Sequence, residues 1–113
     1  MGRKMDITQV IERVPAFEDR LSVRLEALSA FAEGPDDDGD WKILLNGELH
    51  PMGGETLDRD LEVNASAYDS SGRVVSTESN WISSDDFFGF EAFTFSFYAP
   101  VKVAKIRLYP KAR

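Results

Sequence analysis

The chain has 113 residues, 42% of them hydrophobic and 29% charged, with 20 acidic and 13 basic side chains and a formal net charge of −7. That is the length of one domain, enough to bury a core without covalent staples. The absence of cysteine excludes a disulfide framework, a thiolate metal site and a cysteine nucleophile. The acidic balance speaks against a nucleic-acid binder, which needs a cationic face.

No run approaches the roughly 18 apolar residues of a membrane span. The basic start "MGRKMDITQV" is not followed by the apolar stretch of a signal peptide, so a complete chain of this sequence is expected to stay in the cytoplasm. Residues 1–5 read as a disordered start and 6–113 as one domain. In "DITQVIERVP", Ile7, Val10, Ile11 and Val14 share a helical face, with Asp6 and Gln9 placed for a capping box and Pro15 as a stop. The same residues are rich in β-branched side chains, which favour a strand. Residues 6–14 are therefore helix or strand.

"RLSVRLEAL" alternates with period two: Leu21, Val23, Leu25 and Ala27 against Arg20, Ser22, Arg24 and Glu26. The strand continues through "SAFAE" with a bulge expected near Leu28. "GPDDDGD" is a loop, and "WKILLNGELHP" returns with Trp41, Ile43, Leu45 and Leu49 in phase. After "MGGETLDRD", Leu61, Val63, Ala65 and Ala67 set the face of another strand. "DSSG" turns it, with Asp69 at the first position and Gly72 at the left-handed one, into "RVVSTESNWI".

"FFGFEAFTFSFY" (87–98) holds seven of the thirteen aromatic residues and changes phase within itself. Phe93, Phe95 and Phe97 alternate with Thr94 and Ser96, as in a core strand. Phe88 and Phe90 fall in the opposite phase, so Phe87, Phe88 and Phe90 are assigned to a loop that could offer a contact surface. The last strand, "VAKIRLYP", alternates Ala104, Ile106 and Leu108 with Lys105, Arg107 and Tyr109.

The expected fold is all-β: an antiparallel immunoglobulin-like sandwich of six or seven strands, with a small OB-like barrel as the alternative. "VNASAYDSSGRVVSTESNWI" resembles the FxLYD-type bacterial and archaeal domains in Tyr68, Asp69, Gly72, Val74 and Val75, and further on in Gly89, Glu91 and Phe93. That family's Phe and Leu positions are Ala65 and Ala67 here. The resemblance spans roughly 41–98. It implies an immunoglobulin-like sandwich of a kind often found as an accessory domain, and it carries over no catalytic or binding residue.

The chemistry-bearing candidates thin out on inspection. Asp36, Asp37, Asp38 and Asp40 crowd one loop but lack the alternating frame of a calcium site, so a solvated hairpin loop is expected and no metal or cofactor. His50, the single histidine, precedes Pro51 at a strand end and reads as a surface residue. No Gly-x-Ser-x-Gly elbow or Walker loop occurs, and no catalytic residue is assigned. Charge is uneven: Glu33 to Asp40 holds five acids and no base, while from Lys102 onward there are five bases and no acid.

Trp41, Trp81, Tyr68 and Tyr109 could form a platform for sugars, or simply cover the sheets. The basic last strand could be an edge, guarded by its cations or open to a partner's strand. The expectation is a non-catalytic accessory domain that binds a protein partner through a sheet face or edge. The alternative is a carbohydrate-binding module. The candidate contact residues are Tyr68, Trp81, Phe87, Phe88, Phe90, Lys105, Arg107 and Tyr109.

Overall fold

The computed structural model describes residues 3–113. Eight strands form two four-stranded sheets packed face to face. The first sheet has the order β1-β3-β4-β7, from β1 (Arg3–Asp6), β3 (Val23–Gly34), β4 (Trp41–Pro51) and β7 (Glu91–Ala99). The second has the order β2-β8-β5-β6, from β2 (Ile11–Arg13), β8 (Lys105–Ala112), β5 (Leu61–Tyr68) and β6 (Val74–Ile82). Two separate sheets form, not one closed barrel. Among the described residues no helix is long and apolar enough to cross a membrane.

The expected count of six or seven strands is exceeded at the N-terminus, where β1 and β2 lie. Residues 3–5, expected to be a disordered start, lie in β1 against β3; residues 1 and 2 fall outside the described part. Both readings of 6–14 are met in pieces. A 3-10 turn at Thr8–Val10 carries the chain from one sheet to the other, and β2 follows. The crossing is fixed where the Ile7 N–H donates to the Ala30 carbonyl at 2.8 Å and the Ala30 N–H donates to Thr8 Oγ1 at 3.0 Å.

Pro15 starts a helix instead of ending one: α1 spans Pro15–Arg20 with the proline in its first turn, where the missing N–H costs nothing. β2 pairs with β8 in parallel, the one parallel ladder among the described residues. Parallel neighbours need a long connection, and here nearly the whole domain provides it.

The core follows the expected phases. Leu61, Val63, Ala65 and Ala67 face inward from β5, Ile43, Leu45 and Leu49 from β4, and Ile106 and Leu108 from β8. Phe93, Phe95 and Phe97 are all buried, each worth about 1.5–3 kcal/mol by area removed from water. Ala104 does not share this face. It is exposed, and Val103 is buried in its stead, because β8 begins only at Lys105.

The bulge sits where Ala27 and Leu28 together oppose Gly47. A Cβ on Gly47 would meet the Leu28 and Phe93 side chains at 2.6 Å, so the bare backbone there makes room for both. In the β5–β6 turn, Asp69 Oδ1 accepts from the Ser71 N–H, the Ser71 hydroxyl and the Arg73 N–H at 2.7–2.9 Å, with Gly72 at φ 86°.

Candidate functional site

β8 is not an edge. It lies between β2 and β5, so its cations do not guard a free ladder. They stand instead on the outer face of the second sheet. Lys105, Arg107, Tyr109 and Lys111 alternate with the buried Ile106, Leu108 and Pro110. Their β5 partners on the same face are Tyr68, Ser66, Asn64 and Glu62, and Glu62 in turn opposes Trp81 on β6. Glu12 joins from β2, opposite Arg107. Five of the eight candidate residues (Tyr68, Trp81, Lys105, Arg107 and Tyr109) are thus brought together.

The contacts on this face are specific. Glu12 takes Arg107 Nε at 2.7 Å and Lys105 Nζ at 3.8 Å. The Arg107 hydrogen bond holds the Glu12 carboxyl below its ordinary range, and Glu12 raises Arg107 reciprocally. Lys105 and Arg107 both lie over the Tyr68 ring, at 4.8 and 5.4 Å from its centroid. Arg113 lies over the Trp81 ring at 5.2 Å and pairs with Glu62 at 3.2 Å. Trp81 nevertheless stays 59% exposed. The face carries four cations (Lys105, Arg107, Lys111 and Arg113) against two carboxylates, on a chain that is acidic as a whole.

Beyond Leu108 the face opens into a trough. β2 ends at Arg13 and the chain turns into α1, leaving the last part of β8 without a strand on that side. Two adjoining cavities result, of about 460 and about 500 Å³, which share Arg20, Leu21 and Ala112. One runs between α1 and β8 past Phe17, Tyr109, Pro110 and Lys111. The other continues under the 52–60 loop past Ser22, Pro51, Thr56, Leu57, Asp58 and Arg59. Phe17 meets Tyr109 edge to face at 5.5 Å, with the Arg20 guanidinium 5.7 Å over the Phe17 ring. α1 is anchored from below by Glu18, which accepts from Arg13 Nε at 3.0 Å, Arg13 Nη2 at 2.6 Å and the Leu25 N–H at 3.2 Å.

The other candidates lie elsewhere. Phe87 is buried in the core and offers no contact surface; its loop folds inward where Gly89 N–H donates to the Glu55 carbonyl at 2.8 Å. Phe88 and Phe90 are exposed, but at one end of the first sheet, where Phe90 stacks on His50 at 5.1 Å and His50 in turn bonds Glu48 at 2.9 Å. Trp41, of the possible sugar platform, is half-buried against the core in that same sheet.

In the acidic loop, carboxylate oxygens of Asp36, Asp38 and Asp40 lie within 4.8 Å of one another. Asp36 Oδ1 already accepts the Asp38 and Asp40 N–H groups at 2.9 Å each, which shapes the turn.

Lys111 and Arg113 were missed, although the alternation of β8 puts them in phase with Lys105 and Arg107. Phe17 and Arg20 were out of reach without α1, and Arg59 comes from a loop with no periodicity. Set against family models, curated proteins and solved structures, the chain matches none.

Proposed function

We propose that this is a non-catalytic interaction domain that binds an acidic protein surface through the outer face of the β2-β8-β5-β6 sheet. The observation that carries this reading is the outward row of cations on β8, flanked by Tyr68, Tyr109 and Trp81, on a chain of net charge −7. Such a face steers and orients an anionic partner, and exposed Trp with Arg is the chemistry of interface hot spots. We further infer an immunoglobulin-like sandwich of irregular strand order, akin to the FxLYD-type domains. Supporting this are the first strand split between both sheets and the Tyr68–Val75 hairpin. The neighbouring β3 and β4 depart from the usual order of that type.

The carbohydrate reading keeps one observation in its favour, the exposed Trp81. The tyrosines of the face are already engaged within the fold. Tyr68 is covered by two cations and Tyr109 is turned edge-on to Phe17.

The test is capture of a partner from lysate of the source cell by immobilised domain. Trp81→Ala and Lys105→Glu should each lose that partner. Retention by both variants would move binding off this face. Arg107→Glu is a poorer probe than Lys105→Glu, because it would put a carboxylate in place of the cation hydrogen-bonded to Glu12 at 2.7 Å, whereas Lys105 stands 3.8 Å away. A change of Trp81 fluorescence with a particular glycan, abolished in Trp81→Ala, would establish the carbohydrate reading instead.

A further inference from the structure

We propose that the trough between α1, β8 and the 52–60 loop is the docking groove for an acidic, extended peptide segment of the partner. This rests on reading the domain as a protein-binding module, and it adds the chemistry and shape of what is bound.

Charge is the first argument. Arg20 and Lys111 line the outer half of the trough and Arg59 the inner half, with Asp58 the one carboxylate among the lining residues. Cations nearby are matched inside the fold: Arg13 by Glu18, Arg107 and Lys105 by Glu12, and Arg113 by Glu62. Among the described residues, none of Arg20, Arg59 and Lys111 has a carboxylate within 4.0 Å, in a chain with more acids than bases. Three cations converge on one concavity and are left for a ligand's carboxylates.

Shape is the second argument. The wall is apolar and already ordered, with Phe17 packed on Tyr109, Leu21 beside them and Pro110 buried behind. A side chain set between two acidic residues would find an apolar surface there. The trough also runs along the part of β8 that β2 leaves unpaired, Tyr109–Ala112, about 13 Å of extended chain. An added strand gains backbone hydrogen bonds at such an edge. Pro110 supplies no N–H, so the added ladder is short, and the cations must contribute a large share of the affinity.

The chemistry selects a peptide over a sugar. Phe17 has Arg20 over its ring and Tyr109 set at 76° to it, so the two rings present no common flat platform for a pyranose ring.

The experiment is fluorescence polarisation of the full chain with a labelled peptide, Asp-Glu-Phe-Asp-Glu-Leu, and a control in which every acid is Lys. We expect saturable binding of the acidic peptide, weakened by salt, and weakened about tenfold or more in Arg20→Glu/Arg59→Glu/Lys111→Glu. All three residues are exposed, so the fold should survive; circular dichroism checks this, and Arg20→Ala/Lys111→Ala gives a milder second variant. Absence of saturable binding would overturn the proposal, as would equal binding by the triple variant or by the Lys control. If the peptide fails while Trp81→Ala and Lys105→Glu still abolish capture of the natural partner, the groove is wrong and the face reading stands. If those variants also retain the partner, both are wrong.

Discussion

Glu18 is a carboxylate 2% exposed, and its partners come from two directions. Arg13 binds it through two nitrogens from β2, and the Leu25 N–H binds it from β3, so a single side chain ties α1 to both sheets. Glu18→Ala would leave Arg13 without its partner and α1 without its anchor. We expect a loss of about 2–3 kcal/mol, at the low end for a buried pair because Arg13 is part-exposed. Urea unfolding measures it, and a loss below about 0.5 kcal/mol would show that α1 is held by apolar packing alone.

Other carboxylates make the structure acid-sensitive. Asp6 is lowered by hydrogen bonding from the Thr8 side chain, Asp60 and Asp69 by the backbone N–H groups of Ser84 and Arg73, and Glu12 by Arg107. A lowered acid contributes stability that is complete above its unfolded value of about 4 and is lost as pH falls through its folded value. Glu91, raised by burial and then by Asp86, has the opposite sign, with its contribution lost as pH rises through its folded value. Four groups oppose one. The urea midpoint should therefore decline below about pH 4. A midpoint that rises on acidification would mean Glu91 dominates.

At the scale of the elements, the two sides of the sandwich end differently. On one side the edges are β1 and β2, four and three residues long and rich in charge. On the other side they are β6 and β7, nine residues each, with no Lys, Arg or Pro. Long edges without cations or proline invite pairing with other chains. Two residues of β6 oppose that. Asn80 donates to the Thr94 carbonyl at 2.7 Å and so occupies one acceptor on the β7 edge. Glu78 pairs with the buried Ala65 and so has inward parity, yet it is exposed. An inward charge at an edge obstructs a second sheet edge from seating on it. Glu78→Val should raise the association state over that of the parent, read by light scattering across a concentration series. An unchanged molar mass would remove this role from Glu78.

The β5–β6 hairpin and the Phe93–Phe97 strand were fully legible, since alternation and turn chemistry act within ten residues. The edge status of β8 was not. Nothing in "VAKIRLYP" records that three residues from the far end of the chain, Ile11–Arg13, lie alongside it. The same gap hid the trough, which exists because β2 is short and Pro15 begins a helix. Phe87 was misjudged for a related reason. Its burial depends on how the 83–90 loop folds over the core, and no periodicity encodes that.

At the scale of the whole molecule, the outer face of the second sheet stands out for its cations. Phe88 and Phe90, Tyr98 and the acidic hairpin loop belong to the first sheet and its ends, whereas the cations of β8 share one face of the second. The aromatic candidates therefore divide into two groups on different sheets, and only those on the second sit among cations. One surface was implicit in the strand phases; its extension into a groove required the topology.

The central position of β8 also sets an order of events in synthesis. Until Lys105–Ala112 has been made, the second sheet consists of the β5–β6 hairpin alone, and β2 has nothing to pair with. The first sheet can assemble earlier, but its greasy inner face then has no complete partner layer. Contacts that join residues 11–13 to 106–108 span 95 residues of sequence, and such non-local pairing slows folding. A nascent chain stalled before β8 should present exposed apolar surface to holding chaperones and proteases, and the emergence of one strand would end that exposure.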